Sequence, residues 1–259
     1  MSADGQVWTP YCGPGPTPDE WLSRWNLDPV LIAALALGLA LCLWRRSGRD
    51  RAFGVGAVLT LAVIFVSPLC ALSSALFAAR TVHHVLLVAV AAPLIAWTLP
   101  RRRAGPLALA TAVQAAVFWA WHAPAAYGWA LSNDAAYWLM QFGLLGTGVW
   151  FWMAVRRASA PAAVAALLLA MVAMGLLGAL LTFTGQPVYA PHFLTTAAWG
   201  LAPLEDQQAA GLIMWAPAAG AYLAAALILL MRRRQSGRGR HRLLLFTVLS
   251  PSNSPESIC

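Results

Sequence analysis

The sequence predicts an all-α fold: a polytopic membrane bundle of seven transmembrane helices, N-terminus outside and C-terminus inside. Three observations carry this expectation. Of the 259 residues, 60% are hydrophobic and only 10% are charged, a balance typical of a membrane bundle and not of a large soluble core. Seven apolar runs, near 28–45, 52–72, 82–100, 106–123, 136–155, 161–184 and 210–231, are each long enough to cross a hydrocarbon core of roughly 30 Å as a helix. Finally, 15 of the 17 basic residues lie on alternate connections or in the tail, which marks that side as cytoplasmic. A hydrocarbon interior offers the backbone no hydrogen bonds, so the runs must be helical.

Taken in order, residues 1–27 read as an outer cap segment rich in Pro, Gly and Trp, with Trp8, Trp21 and Trp25 suited to the headgroup level. This segment lacks a basic n-region and is not expected to be a secretory signal. Residues 28–231 form the seven-helix domain, and 232–259 a basic and then disordered cytoplasmic tail. Pro29 suits a first helical turn. Pro68, Pro93 and Pro217 fall within spans two, three and seven, where each frees a carbonyl that a neighbour must satisfy. Gly143 with Thr147, and Gly175 with Ala179, read as close-packing positions of spans five and six.

The connections with Arg45, Arg46, Arg49 and Arg51, with Arg101 to Arg103, and with Arg156 and Arg157 lie on the inner side, as do the six tail arginines. Arg24 and Arg80 lie on the other. The net charge of +8 is explained by orientation beside an anionic leaflet, so no nucleic-acid partner is expected. The chain has no lysine, which excludes a retinal Schiff base. Cys12 and Cys70 share the outer side. A disulfide or a shared metal is open to them there, but two unrelated thiols is the simpler expectation.

The residues able to carry chemistry gather at the outer end. His83 and His84 open span three, His122 closes span four, and His192 lies in the long outer connection. Because spans three and four are antiparallel, His84 and His122 reach the same depth, where paired imidazoles could bind copper, zinc or haem iron. The bland account is a histidine at ease at a wet interface. His83 and His84 point about 100° apart on a helix, so one of them faces any given site. Glu205, Asp206, Gln207 and Gln208 enter span seven together. Asp206 suits an N-cap, whereas buried glutamines require partners.

The run Leu177-Gly178-Ala179-Leu180-Leu181-Thr182-Phe183, then Tyr189, Trp199-Gly200-Leu201 and Asp206-Gln207-Gln208-x-Ala210-Gly211-Leu212-Ile213-Met214-Trp215-x-Pro217 resembles the CtaG family of bacterial cytochrome c oxidase assembly factors. Trp121-His122-x-Pro124-x-x-Tyr127 and Ser67-Pro68-Leu69 are similar too. The resemblance spans most of residues 25–231. It implies a non-enzymatic factor in the bacterial inner membrane that binds copper transiently at the outer face and aids its insertion into the oxidase. Oxidase subunits, the lipid bilayer and a periplasmic copper donor would be its partners. His84 and His122 would be primary ligands, with His83, His192 and Asp206 as further candidates, and Gln207, Gln208 and Trp215 as motif residues. Arg80 and Gln141 stand where the family usually carries histidines. Two other functions compete: a zinc-dependent intramembrane hydrolase using His84, His122 and His192 with Asp134 or Asp206 as base, and a haem-binding electron carrier with His84 and His122 as axial ligands. No His-Glu-x-x-His or Gly-x-Ser-x-Gly motif occurs.

Overall fold

The computed structural model describes residues 8–100 and 104–231, and among these every regular element is helical. The helices are α1 (Pro29–Arg45), α2 (Gly48–Phe65), α3 (Pro68–Ala75), α4 (Phe77–Thr98), α5 (Leu107–His122), α6 (Pro124–Ser132), α7 (Asp134–Arg157), α8 (Ala160–Phe183) and α9 (Pro203–Met231). Among the described residues, α4, α7, α8 and α9 are long and apolar enough to cross a membrane, and α2 with α3 makes a fifth if that bent pair is one span. Helices α1 and α5 are apolar but shorter. Arg101 to Arg103, the six tail arginines and the expected disordered tail lie outside the described residues.

Proline sets several boundaries that the apolar runs alone did not. Ser67 caps α3, its hydroxyl accepting from Leu69 N at 3.2 Å, and Pro68 takes the first helical turn. The result is a 45° bend instead of one straight second span, because proline clashes with a continuing helix behind it. Pro124 likewise stops α5 at His122 and starts α6, a short helix absent from the sequence expectation. Helix α4 begins at Phe77 and α9 at Pro203, each several residues before its apolar run. Pro29 occupies the first turn of α1 with Asp28 as N-cap.

The prolines inside spans behave differently. Pro93 follows a π-helical turn at Leu87–Ala91, and Pro217 lies within another at Met214–Ala218. Such turns absorb an interrupted hydrogen-bond ladder. A neighbour supplies the missing partner in the first case: Trp152 of α7 donates its indole N–H to Val88 O at 2.9 Å.

Helix α9 lies against α8 and α4. Its contact with α8 is nearly backbone on backbone, since a Cβ on Gly178 would stand 2.7 Å from Gly211 O and 3.1 Å from Met214 Cβ. Small residues permit such approach between spans. Gly143 instead leaves room for Trp121 of α5, 3.2 Å from where its Cβ would be.

The end bearing α3 and α6 also holds the cap segment. Cys12 and Cys70 form a disulfide there, which overturns the expectation of two unrelated thiols. The cap chain crosses the bundle end closely enough to bring the sulfurs together. Tyr11 donates to Asp28 at 2.8 Å, and Trp199 donates to Pro16 O at 3.0 Å. At the opposite end, arginines close the C-terminus of α4. Arg46 donates to Thr98 O at 2.6 Å, and Arg156 donates to Ala96 O and to Leu99 O. Cations there oppose the negative end of the helix dipole.

Candidate functional site

His122 is placed by a single local fact: Pro124 ends its helix, so its ring sits at the terminus of α5. Its Nδ1 lies 2.7 Å from Phe118 O. A carbonyl only accepts, so Nδ1 carries the proton and Nε2 keeps a lone pair. That Nε2 is buried with no hydrogen-bond partner. Across from it on α4 is His84, 2% exposed, with both ring nitrogens buried and unpartnered. The two ring centres are 5.5 Å apart and the planes nearly perpendicular at 82°. His83 turns the other way, its ring 5.6 Å from His84 and edge-on to Phe65 of α2 at 5.1 Å.

Unpartnered buried imidazoles are costly, because each polar atom has lost water without gaining a partner. A shared metal ion is one thing that repays such a cost. At a metal–nitrogen distance of about 2 Å, two ligating imidazoles have centres roughly 5 to 6 Å apart. The His84–His122 separation lies in that range.

His192 is held differently. Tyr127 donates to its Nε2 at 2.6 Å, and its Nδ1 lies 3.2 Å from Ala75 O. Both nitrogens are therefore occupied. Burial, with the nearby Arg80 charge, lowers its pKa to about 3, so the ring is neutral at ordinary pH and Nδ1 is the donor. Tyr189 of the same connection stacks on Phe77 at 3.9 Å and donates to His122 O at 2.7 Å. This loop thus closes over the ends of α4 and α5.

Arg80, fully buried, lies beneath it. Its Nε donates to Ser73 O at 3.2 Å and its guanidinium sits 5.4 Å from the Tyr137 ring centre. The sequence flagged this arginine as one of two charges apart from the arginine-rich connections and as standing in for an expected histidine, and did not foresee it as the buried charge between Tyr127, Tyr137 and the histidines. The available signal was an arginine six residues after Ser74 with only apolar and small residues between.

Asp206 caps a helix, but not its own. Its Oδ2 accepts from Phe77 N at 2.6 Å and Oδ1 from Ala78 N at 3.1 Å, which secures the N-terminus of α4. Glu205 serves its own helix instead, accepting from Ala202 N at 2.7 Å. The expectation that Asp206 caps α9 is corrected on that ground. Gln207 accepts from Val188 N at 2.8 Å and donates to Gln186 O at 3.3 Å, tying the connection before α9 to that helix. Gln208 is half-buried, and Trp215 is exposed, edge-on to Phe183.

Among the described residues no group of three or more His, Cys, Asp or Glu is arranged to hold a metal ion. The donor set at this end is two imidazoles, with His83 beside them. A hydrolytic site would need a carboxylate next to a metal-bound water. Asp134 is exposed on α7, and both oxygens of Asp206 are engaged by amides.

A family model described as "Cytochrome c oxidase caa3 assembly factor (Caa3_CtaG)" matches residues 105–236, just over half of the chain. No curated protein and no solved structure matches this sequence.

Proposed function

This chain belongs to the cytochrome c oxidase caa3 assembly factor family, and from that premise we propose that it acts without catalysis, holding copper as cargo at the outer end of the bundle for insertion into the oxidase. His84 and His122 are the proposed ligands. The observation that carries this reading is the pair of buried imidazoles with unpartnered nitrogens at a ring separation of 5.5 Å, the His122 ring left with a lone pair on Nε2 by its bond to Phe118 O. A carbonyl holding the far nitrogen of a ligating histidine is the arrangement that orients metal-bound imidazoles. Imidazole suits copper, and a site short of ligands releases its ion more readily than a closed four-ligand site. His83 is the reserve ligand. His192 and Asp206 support the site by closing the loop and anchoring α4, since their polar atoms are already in use.

The proposed orientation is seven spans, with α1 and α5 added to the longer helices, in the bacterial plasma membrane. The end with the Cys12–Cys70 disulfide faces outward, because disulfides persist in oxidising compartments. The arginine end faces the cytoplasm. Oxidase subunits would receive the copper, and a periplasmic protein would supply it.

The test is elemental analysis of detergent-purified protein together with oxidase activity in cells. Replacing both His84→Ala and His122→Ala should reduce retained copper to background and lower oxidase activity. His192→Gln should leave copper content near the parent value. Unchanged copper in the double variant removes the ligand role of these two histidines.

A further inference from the structure

We propose that the groove between α1, α2 and α7 is a binding site for a membrane-soluble quinone, a planar carbonyl-bearing ring carrying an apolar tail. The groove has a volume of about 450 Å³ and is lined by aliphatic side chains and by Tyr11, Phe65, Trp138 and Phe142. That volume lies within the usual range of small-molecule sites. Its rings form a continuous aromatic wall: Tyr11 meets Trp138 edge-on at 5.0 Å, Phe65 tilts against Trp138 at 5.3 Å, and Phe142 stacks on Trp138 at 5.5 Å. A flat ring is the shape that such a wall receives best.

The second observation is Gln141, which lines the same groove. It is 1% exposed, and neither its amide nitrogen nor its amide oxygen has a hydrogen-bond partner. A buried amide left in that condition has lost water without gaining a partner, which is unfavourable. A ring carbonyl would accept from its nitrogen and the hydroxyl of the reduced ring would donate to its oxygen, whereas an acyl chain would do neither. Two other polar groups of the lining, Tyr11 and Asp28, are already committed. Tyr11 donates to Asp28, and Asp28 also caps α1 through Val30 N and Leu31 N. Those bonds hold the Asp28 carboxyl below its ordinary range, the Tyr11 bond foremost, so the rim is negative and disfavours a phosphate headgroup. A neutral head fits both the rim and the amide.

Access is from the membrane side. Val30, Ala34 and Phe142 are exposed along the opening. The inner wall, Phe65, is the residue that touches His83 at 5.1 Å, so the groove ends one aromatic ring away from the histidine cluster.

The experiment uses copper-free, detergent-purified full-length protein titrated with decylubiquinone, followed by thermal unfolding and by the amount retained after desalting. The parent should show a saturable rise in melting midpoint with one equivalent bound. Gln141→Leu should weaken the response at least tenfold while its own midpoint, without quinone, stays level or rises, because an unpaired buried amide has gone. Ala34→Trp, filling the groove from its exposed side, should weaken it comparably. Absence of a saturable response in the parent overturns the proposal, as does an equal response in both variants or a response to phospholipid alone. Copper is absent throughout, so this result and the copper-retention result fail independently.

Discussion

At the disulfide end of the bundle, polar groups are buried, some held by partners from distant parts of the chain and others, His84 among them, left unpartnered, whereas at the arginine end the described arginines Arg46 and Arg156 donate to backbone carbonyls at a helix terminus. The disulfide end buries Arg80, His83, His84, His122, His192, Asp206 and Gln207 under a loop and a cap segment. The arginine end places Arg46 and Arg156 over the last turn of α4, with Arg156 4.9 Å from the Trp97 ring centre. Arginines at a helix C-terminus need only reach its free carbonyls, which takes little tertiary organisation. Holding unpaired imidazoles dry requires a lid, and the disulfide end is braced by a covalent link and by Asp206.

The sharpest way to break this contrast is to cut the covalent brace. Cys12→Ser should lower stability by up to about 4 kcal/mol, the closure entropy of a 58-residue separation. In detergent, this should raise hydrogen exchange in α3 and in the 185–202 connection, while the last turn of α4 near Arg156 keeps its protection. A uniform rise at both ends would remove the distinction. A smaller effect is expected at Asp206. Asp206→Asn retains the shape but loses a charge-assisted bond to two amides at the start of α4, costing about 2 kcal/mol by thermal unfolding. Copper retention should fall with it, because α4 carries His84.

The mildest probe is pH. His192 has its pKa depressed to about 3 against 6.5 in the ordinary state. Between those values the unfolded chain binds the extra proton, so stability is full above about 6.5 and declines as pH falls toward 3. One unit below the ordinary value, the loss from this group is about 1 kcal/mol. His192→Gln should flatten that slope without moving the behaviour of the arginine end. A slope unchanged by the substitution would mean that another group titrates.

The helical class, the location of each apolar run and the common depth of His84 and His122 were legible in the sequence because each depends on local periodicity or on which end of a helix a residue occupies. Proline positions were legible too, although only the structure distinguished breaks at Pro68 and Pro124 from π turns at Pro93 and Pro217. At Pro93 a neighbour, Trp152, reaches the disrupted backbone.

The partners of polar atoms were not legible. Asp206 had the composition of an N-cap and became one, but for a helix that begins 129 residues earlier in the chain. Cys12 and Cys70 were on one side of the membrane in the sequence, and only the course of the cap segment joined them. Gln141 and Arg80 stood out in sequence as substitutions within a motif, and acquired physical meaning as buried groups only in the packed bundle. Sequence alone fixes which segments must leave water, since that is a sum over each segment's own atoms. Which buried donor meets which acceptor is decided by the approach of elements far apart in the chain, and that belongs to the tertiary structure.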